Sequence, residues 1–122
     1  MDQRGGTQAT RQLLKLGVPF DAIFSSSDLA IVGALQVLKK HKRRVPQDVA
    51  LVGFSNEAFT ELTEPQITSV DQCCGQMGQT AVRLLLQMIQ REPRRPAPAH
   101  QAKGVVLKPK LMVRESSKRR SN

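Results

Sequence analysis

Apolar and polar positions along the chain fall into two rhythms, and together they predict most of its elements. Short β-rich apolar runs bounded by turn residues mark buried strands: Ala22–Ser26, residues 49–54 (VALVGF), and 67–70 (ITSV) behind the turn at Pro65. Apolar residues at helical spacing mark three helices. The first, 7–16, turns Ala9, Leu13 and Leu16 inward and is ended by Gly17. The second runs from Leu29 to about Lys40, with Asp28 at its N-cap. The third and longest follows Asp71, with a polar face of Gln76, Gln79, Arg83 and Gln87. Its apolar stripe of Met77, Ala81, Leu84, Leu85 and Met88 reads as core packing. NEAFTELT, 56–63, is expected to form one helical turn, and GVVLKPKLMV two short strands around Pro109.

This order of strands and helices predicts an α/β fold, a mostly parallel sheet with helices on both faces. Polar residues just past the carboxyl ends of such strands are where ligand sites form, which singles out Ser55, Asn56 and Gln72. The second helix adds an anomaly. Ile31, Ala34, Leu35 and Leu38 make one face, yet the opposite face, Leu29, Val32, Gly33 and Gln36, is largely apolar too. A second apolar face calls for a partner subunit, or for cover by another part of the same chain.

At 122 residues the chain is one domain or a piece of one. It carries a formal charge of +9 and only 3% aromatic residues, with its bases grouped at 39–44, 91–103 and 118–120. That distribution favours solvated basic loops over a stacking platform for single-stranded nucleic acid. Residues 91–103 are expected to be an irregular, mobile connection, and the tail from Ser116 to be disordered, giving a domain over 1–117 and a disordered basic tail at 118–122. No apolar run approaches the roughly 20 residues of a membrane span, so a cytoplasmic location without membrane contact is expected. The adjacent Cys73 and Cys74 read as buried or half-buried thiols, not as a disulfide framework, and no set of metal ligands or cofactor motif stands out. SSSD, 25–28, lacks a histidine in reach, and its serines read as strand-end hydrogen-bonding groups; no enzyme is expected.

The segments DAIFSSSDLAIVGAL, RVPQDVALVGFSNEAFTEL, EPQITSVDQ, GQMGQTAVRLLLQMI and VLKPKLMVRESS, in this order, resemble the C-terminal part of LacI/GalR-family transcriptional regulators, over about Gly5 to Ser117. The resemblance implies a periplasmic-binding-protein-like type I domain, of which this chain holds mainly the C-terminal lobe. The helix from about Gly75 to Gln90 would belong to the other lobe. It also implies a small-molecule effector, a sugar or related metabolite, bound between two lobes, a homodimer, and DNA contact only through a helix-turn-helix not present in this chain.

By the same resemblance the effector contacts match Ser27, Ser55 and Gln72, with Asn56 taking over part of the role of an acid that the family often carries at position 55. Asp28 serves as helix cap or ligand contact. The dimer surface falls on Val32, Gln36, Phe59, Leu62 and Thr63, joining Leu29 of the unexplained helical face. Two further departures from the family are CCG at 73–75, where relatives tend to have proline, a small residue and an aromatic, and Lys42 in place of a usual glycine. The alternatives are a solute-binding protein of the same fold and a basic α/β nucleic-acid-binding fragment.

Overall fold

Aliphatic and β-branched residues concentrated at 22–24, 50–54 and 68–71 leave little choice but to pair, and in the computed structural model, which describes residues 2–90 and 104–119, they do. The elements are α1 (Gln3–Leu16), β1 (Ala22–Phe24), α2 (Asp28–Lys40), β2 (Ala50–Phe54), a 3-10 turn (Ala58–Glu61), β3 (Thr68–Asp71), α3 (Cys74–Gln90), β4 (Lys110–Met112) and a second 3-10 turn (Glu115–Ser117). They divide into two compact units, Met1–Asp71 with Lys110–Asn122, and Gln72–Pro109.

In the first unit the strands lie in the order β1-β2-β3-β4. β1 and β3 each run parallel to β2, with Ile23 opposite Leu51 and Gly53 opposite Ser69, and β4 runs antiparallel to β3 with Leu111 opposite Val70. The sheet is therefore mostly parallel, as the apolar pattern predicts. Its core is the expected stripe of α2, Ile31, Ala34, Leu35 and Leu38, packed on Val49, Leu51 and Ile67, with Phe20, Ile23, Val32 and Val45 around it.

The other side of α2 meets α1, and the contact is nearly backbone to backbone. A Cβ on Gly6 would stand 2.0 Å from the Ala30 carbonyl oxygen, and one on Gly33 would stand 2.2 Å from that of Gln3. Only hydrogen fits at either position. Thr10 completes the seam, buried, its hydroxyl donating to the Gly6 carbonyl at 2.8 Å. This corrects the inward face read from the sequence, because Ala9, Leu13 and Leu16 are exposed. Leucines would hold the helices apart, so the small residues face in. α1 also begins earlier than its apolar rhythm suggests. Asp2 caps it by accepting from the Gly5 amide at 2.8 Å, which offsets the low helix propensity of two successive glycines.

The apolar face of α2 left without a partner in the sequence is thus divided. Gly33 is buried under α1 of the same chain, Gln36 accepts from Gln3 at 3.2 Å, Val32 is half-buried on the core, and Leu29 remains 47% exposed.

The turn into β2 is closed by an ion pair. The Arg44 amide and guanidinium both donate to Asp48, at 2.7 to 3.1 Å, and these bonds lower the Asp48 carboxyl from its usual 3.8 to about 2.

The segment after β4 overturns the expectation of a disordered tail. The Ser116 hydroxyl, fully buried, donates to the Leu51 carbonyl at 2.6 Å and accepts from the Thr68 amide at 2.8 Å, so it bridges the two central strands. The order runs on to Arg119, which donates to the Pro46 carbonyl at 3.1 Å and the Asp21 carbonyl at 2.6 Å. The rest of the basic tail, 120–122, and the connection at 91–103 lie outside the described residues.

In the second unit α3 buries none of its residues, so the Met77, Leu85 and Met88 stripe read as core packing is open in this chain. Cys73 is half-buried and Cys74 exposed, where both were expected to be at least partly buried. Residues 104–109 have no regular structure, so one strand forms near Pro109 and not two. A proline cannot donate the ladder bond that would extend β4 backwards.

Candidate functional site

Parallel strands β1 and β2 end on the same edge, and each hands over to a short polar segment, Ser25–Ser27 and Ser55–Glu57 respectively. The second segment has an uncommon backbone. Ser55 has φ 113° and Asn56 φ 53°, a pair of left-handed conformations that carry a cost of about 1–3 kcal/mol for a non-glycine residue such as Ser55. Three successive amides hold them there: Ser55 donates to the Val70 carbonyl at 2.9 Å, Asn56 to the Ser69 hydroxyl at 3.0 Å, and Glu57 to the Asp28 carboxylate at 2.9 Å.

Asp28 is the centre of this arrangement. It is 1% exposed, and its other carboxylate oxygen accepts from the Ser69 hydroxyl at 2.7 Å. One residue of α2 therefore ties β3 and the loop after β2 to the helix. The cap expected of Asp28 does not form. Ser27 occupies the N-cap without a side-chain bond, and the Asp28 carboxylate points across the fold instead of back to the helix amides. Gly53, opposite Ser69 in the sheet, makes the room, since a Cβ there would stand 2.0 Å from the Asp28 carboxylate oxygen.

Around this knot the structure gathers three of the candidate effector residues. Ser27 is half-buried beside Asp28 in the chain, with its amide donating to the Ser25 hydroxyl at 3.3 Å. Ser55 and Asn56 are half-buried in the held loop. The fourth, Gln72, is the first residue of the second unit and is half-buried there, just ahead of Cys73, whose carbonyl accepts from the Met77 amide at 3.0 Å.

Asn56 has a larger structural role than its sequence context suggests. Its amide nitrogen donates to Asp71 at 3.3 Å and its oxygen accepts from Arg114 at 2.8 Å, leaving one N–H and one lone pair for a ligand. Arg114 itself escaped the sequence reading. Its side chain is 9% exposed and donates to Asn56, to Glu61 at 2.7 Å, to the Thr60 hydroxyl at 3.2 Å and to the Ile67 carbonyl at 3.0 Å. Its backbone exchanges hydrogen bonds with the Thr68 hydroxyl. The planar fork of a guanidinium is what allows one residue to satisfy four acceptors. The signal in the sequence is an arginine directly after an apolar edge strand, which by itself is too common to point anywhere.

The residues assigned to a dimer surface are less uniform. Leu62 is 85% exposed, Gln36 is exposed, and Phe59 and Thr63 are half-buried, the Thr63 hydroxyl being bonded to the Thr60 and Pro65 carbonyls. Among the described residues no helix is long and apolar enough to cross a membrane, and no group of three or more His, Cys, Asp or Glu side chains is placed to hold a metal ion.

Residues 2–117 match the model of the periplasmic binding protein-like domain. Among curated relatives, the HTH-type transcriptional regulator CelR of Thermobifida fusca is 42% identical over 111 residues, which is 91% of this chain and 31% of that protein. Among solved structures, the complex of transcriptional regulator CelR with cellobiose superposes with a TM-score of 0.78 at 39% identity, covering 95% of this chain and 34% of that one. The lac repressor dimer bound to operator and the anti-inducer ONPF superposes with a TM-score of 0.82 at 26% identity, covering 95% of this chain and 33% of that one. The chain thus spans about a third of the length of these relatives.

Proposed function

The chain belongs to the periplasmic binding protein-like domain of LacI-family transcriptional regulators, and on that premise we propose that it supplies one side of an effector site for a small sugar-like molecule, together with part of a homodimer surface. The observation that carries this reading is the gathering of Ser27, Ser55 and Asn56 round the buried Asp28 carboxylate at the carboxyl ends of two parallel strands. Hydroxyl and amide groups that donate and accept at once suit the hydroxyls of a sugar. The cross-links from Asp28 and Ser69 hold the loop in place before any ligand arrives, so binding is spared the cost of ordering it. In a protein that also carries the opposite lobe and a DNA-reading element, a ligand that favours the closed arrangement shifts a two-state equilibrium and with it operator affinity. Gln72, in the second unit, is kept as a candidate effector contact in this reading. The second copy packs on the exposed Leu29 and Leu62 side chains and the neighbouring Val32, Gln36, Phe59 and Thr63.

The test is amide chemical-shift mapping on the labelled chain with added cellobiose and a panel of other mono- and disaccharides. At least one sugar moves the amides of Ser27 and Ser55–Glu57, and Ser55→Ala weakens that response without unfolding the chain. Shifts confined to other surfaces for every sugar overturn the effector reading. Sedimentation on the same sample measures association, which Leu62→Glu reduces. A monomer at high concentration for the parent chain removes the dimer surface.

A further inference from the structure

The chain holds 19 lysines and arginines, yet none lies between Arg44 and Arg83. The loop after β2 therefore has no cation of its own, and Arg114 brings one from 58 positions further along. A guanidinium beside Asn56 does more than supply charge, because it can donate and never accept. The Asn56 carboxamide is nearly symmetric in shape, so sterics alone would let it lie either way round. Turned end for end, it would set its N–H groups against Arg114 and its oxygen against the Asp71 carboxylate, donor facing donor and acceptor facing acceptor. One orientation survives. Both bonds that select it involve a charged partner, and the one from Arg114, at 2.8 Å against 3.3 Å, is the tighter.

Each partner is anchored without the other. The Arg114 Nη2 that reaches Asn56 also reaches Glu61 at 2.7 Å, Nη1 donates to the Thr60 hydroxyl and the Ile67 carbonyl, and the Arg114 backbone is tied to the Thr68 hydroxyl. The loop backbone is held by Val70, Ser69 and Asp28, none of which involves the arginine. The bond between Arg114 and Asn56 thus sets a side chain and leaves the course of the loop to others. In the orientation it selects, the remaining Asn56 N–H stands at the Asp71 end of the carboxamide and the remaining lone pair at the Arg114 end.

Resting on the reading of this sheet edge as an effector site, we propose that Arg114 is a positioning residue for the ligand. It fixes where the Asn56 donor and acceptor stand, and so decides where a ligand hydroxyl must lie to accept from the one and donate to the other. A ligand carboxylate, which can only accept, meets half of this pattern. Lysine is no substitute at position 114, because an ammonium keeps the charge beside Glu61 but lacks the planar fork that reaches Asn56 as well.

The experiment uses the full nitrogen-labelled chain, first without ligand. The side-chain NH2 resonances of Asn56, identified by their loss in Asn56→Asp, move in Arg114→Lys toward those of a solvent-exposed asparagine, while the backbone amides of Ser55–Glu57 keep their dispersion. Titration with cellobiose and the same panel of sugars follows. The sugar bound best by the parent loses affinity about five- to tenfold in Arg114→Lys. In an Asn56→Ala background the same change alters affinity by less than about twofold, whereas an arginine that merely supports the fold would weaken both alike. Asn56→Asp keeps an oxygen for Arg114 and removes the N–H, so it loses affinity about fivefold or more, and it carries the test if Arg114→Lys does not fold. The proposal fails if the Asn56 side-chain resonances stay in place in Arg114→Lys, if the loss is equal in both backgrounds, or if Asn56→Asp binds like the parent. If no sugar moves the parent's amides, the effector reading falls and takes this one with it; a parent and an Arg114→Lys variant that bind equally well overturn this proposal alone.

Discussion

Replacing Gly53 by alanine places a methyl group 2.0 Å from an Asp28 carboxylate oxygen and 3.1 Å from its Cγ. Ordinary contact needs more than an ångström of additional separation, so the carboxylate must leave its position. Leaving breaks the bonds from the Ser69 hydroxyl at 2.7 Å and the Glu57 amide at 2.9 Å, in a side chain that is 1% exposed. Hydrogen bonds to a charged group contribute about 1.5–3 kcal/mol each, so Gly53→Ala is expected to cost about 3–5 kcal/mol, a large fraction of a stability of order 5–15 kcal/mol. Asp28→Ala costs a similar amount, through the two donors it strands. The informative measurement is the pair. Once the carboxylate is gone, the methyl at 53 has space, and Gly53→Ala/Asp28→Ala should be no less stable than Asp28→Ala alone. Urea unfolding followed by circular dichroism of the parent, both single variants and the double variant then gives a coupling of at least about 2 kcal/mol, of the size found for residues in direct contact. Costs that add to within about 0.5 kcal/mol, or a Gly53→Ala variant as stable as the parent, would refute the account of how the loop is held.

Two other expectations follow from single positions. Lys42 lies at φ 56° just past α2, where the Arg43 amide reaches the Leu38 carbonyl at 2.9 Å and the Lys42 amide that of Lys39 at 3.1 Å; this left-handed helix ending favours glycine. Lys42→Gly should therefore stabilise the chain by about 0.5–1 kcal/mol, after allowance for glycine's greater freedom when unfolded, and raise the melting temperature by a few degrees; no change would mean the lysine is not strained there. The Asp48 carboxyl, lowered to about 2 by Arg44, contributes stability that is fully present above its unfolded value of 3.8 and is lost as pH falls through about 2. Melting curves between pH 4 and 2 should accordingly fall less steeply for Asp48→Asn than for the parent, and parallel curves would remove this contribution.

The strands, the sheet-facing side of α2 and the glycine stop of α1 could be read from the sequence because each depends on residues close together in the chain. The apolar rhythm of Ile31, Ala34, Leu35 and Leu38 is enough to orient that helix. What could not be read depends on distance. Gly6 and Gly33 look like weak points in their helices until the two are crossed, and only then do they become the contact. Asp28 has the sequence context of a cap, and nothing local indicates that Ser69, 41 positions away, competes for its carboxylate. Ser116 opens a charged stretch without apolar residues that resembles a loose end, and Arg114 follows an apolar run as many arginines do, although their partners on β2 and β3 lie more than 40 residues back. Of the candidate site, Ser27, Ser55 and Asn56 were legible as strand-end polar residues, but the group that positions them was not.

The serine that bridges Leu51 and Thr68 also sets an order of events during synthesis. Domains generally fold as units while the chain emerges from the ribosome, and here the ladder between β2 and β3 gains its serine bridge only once residue 116 is free to reach it. A nascent chain halted after β4 would carry all four strands and their ladders and still lack this bridge between the central two, so the last bonds across the sheet come from almost the last residues described.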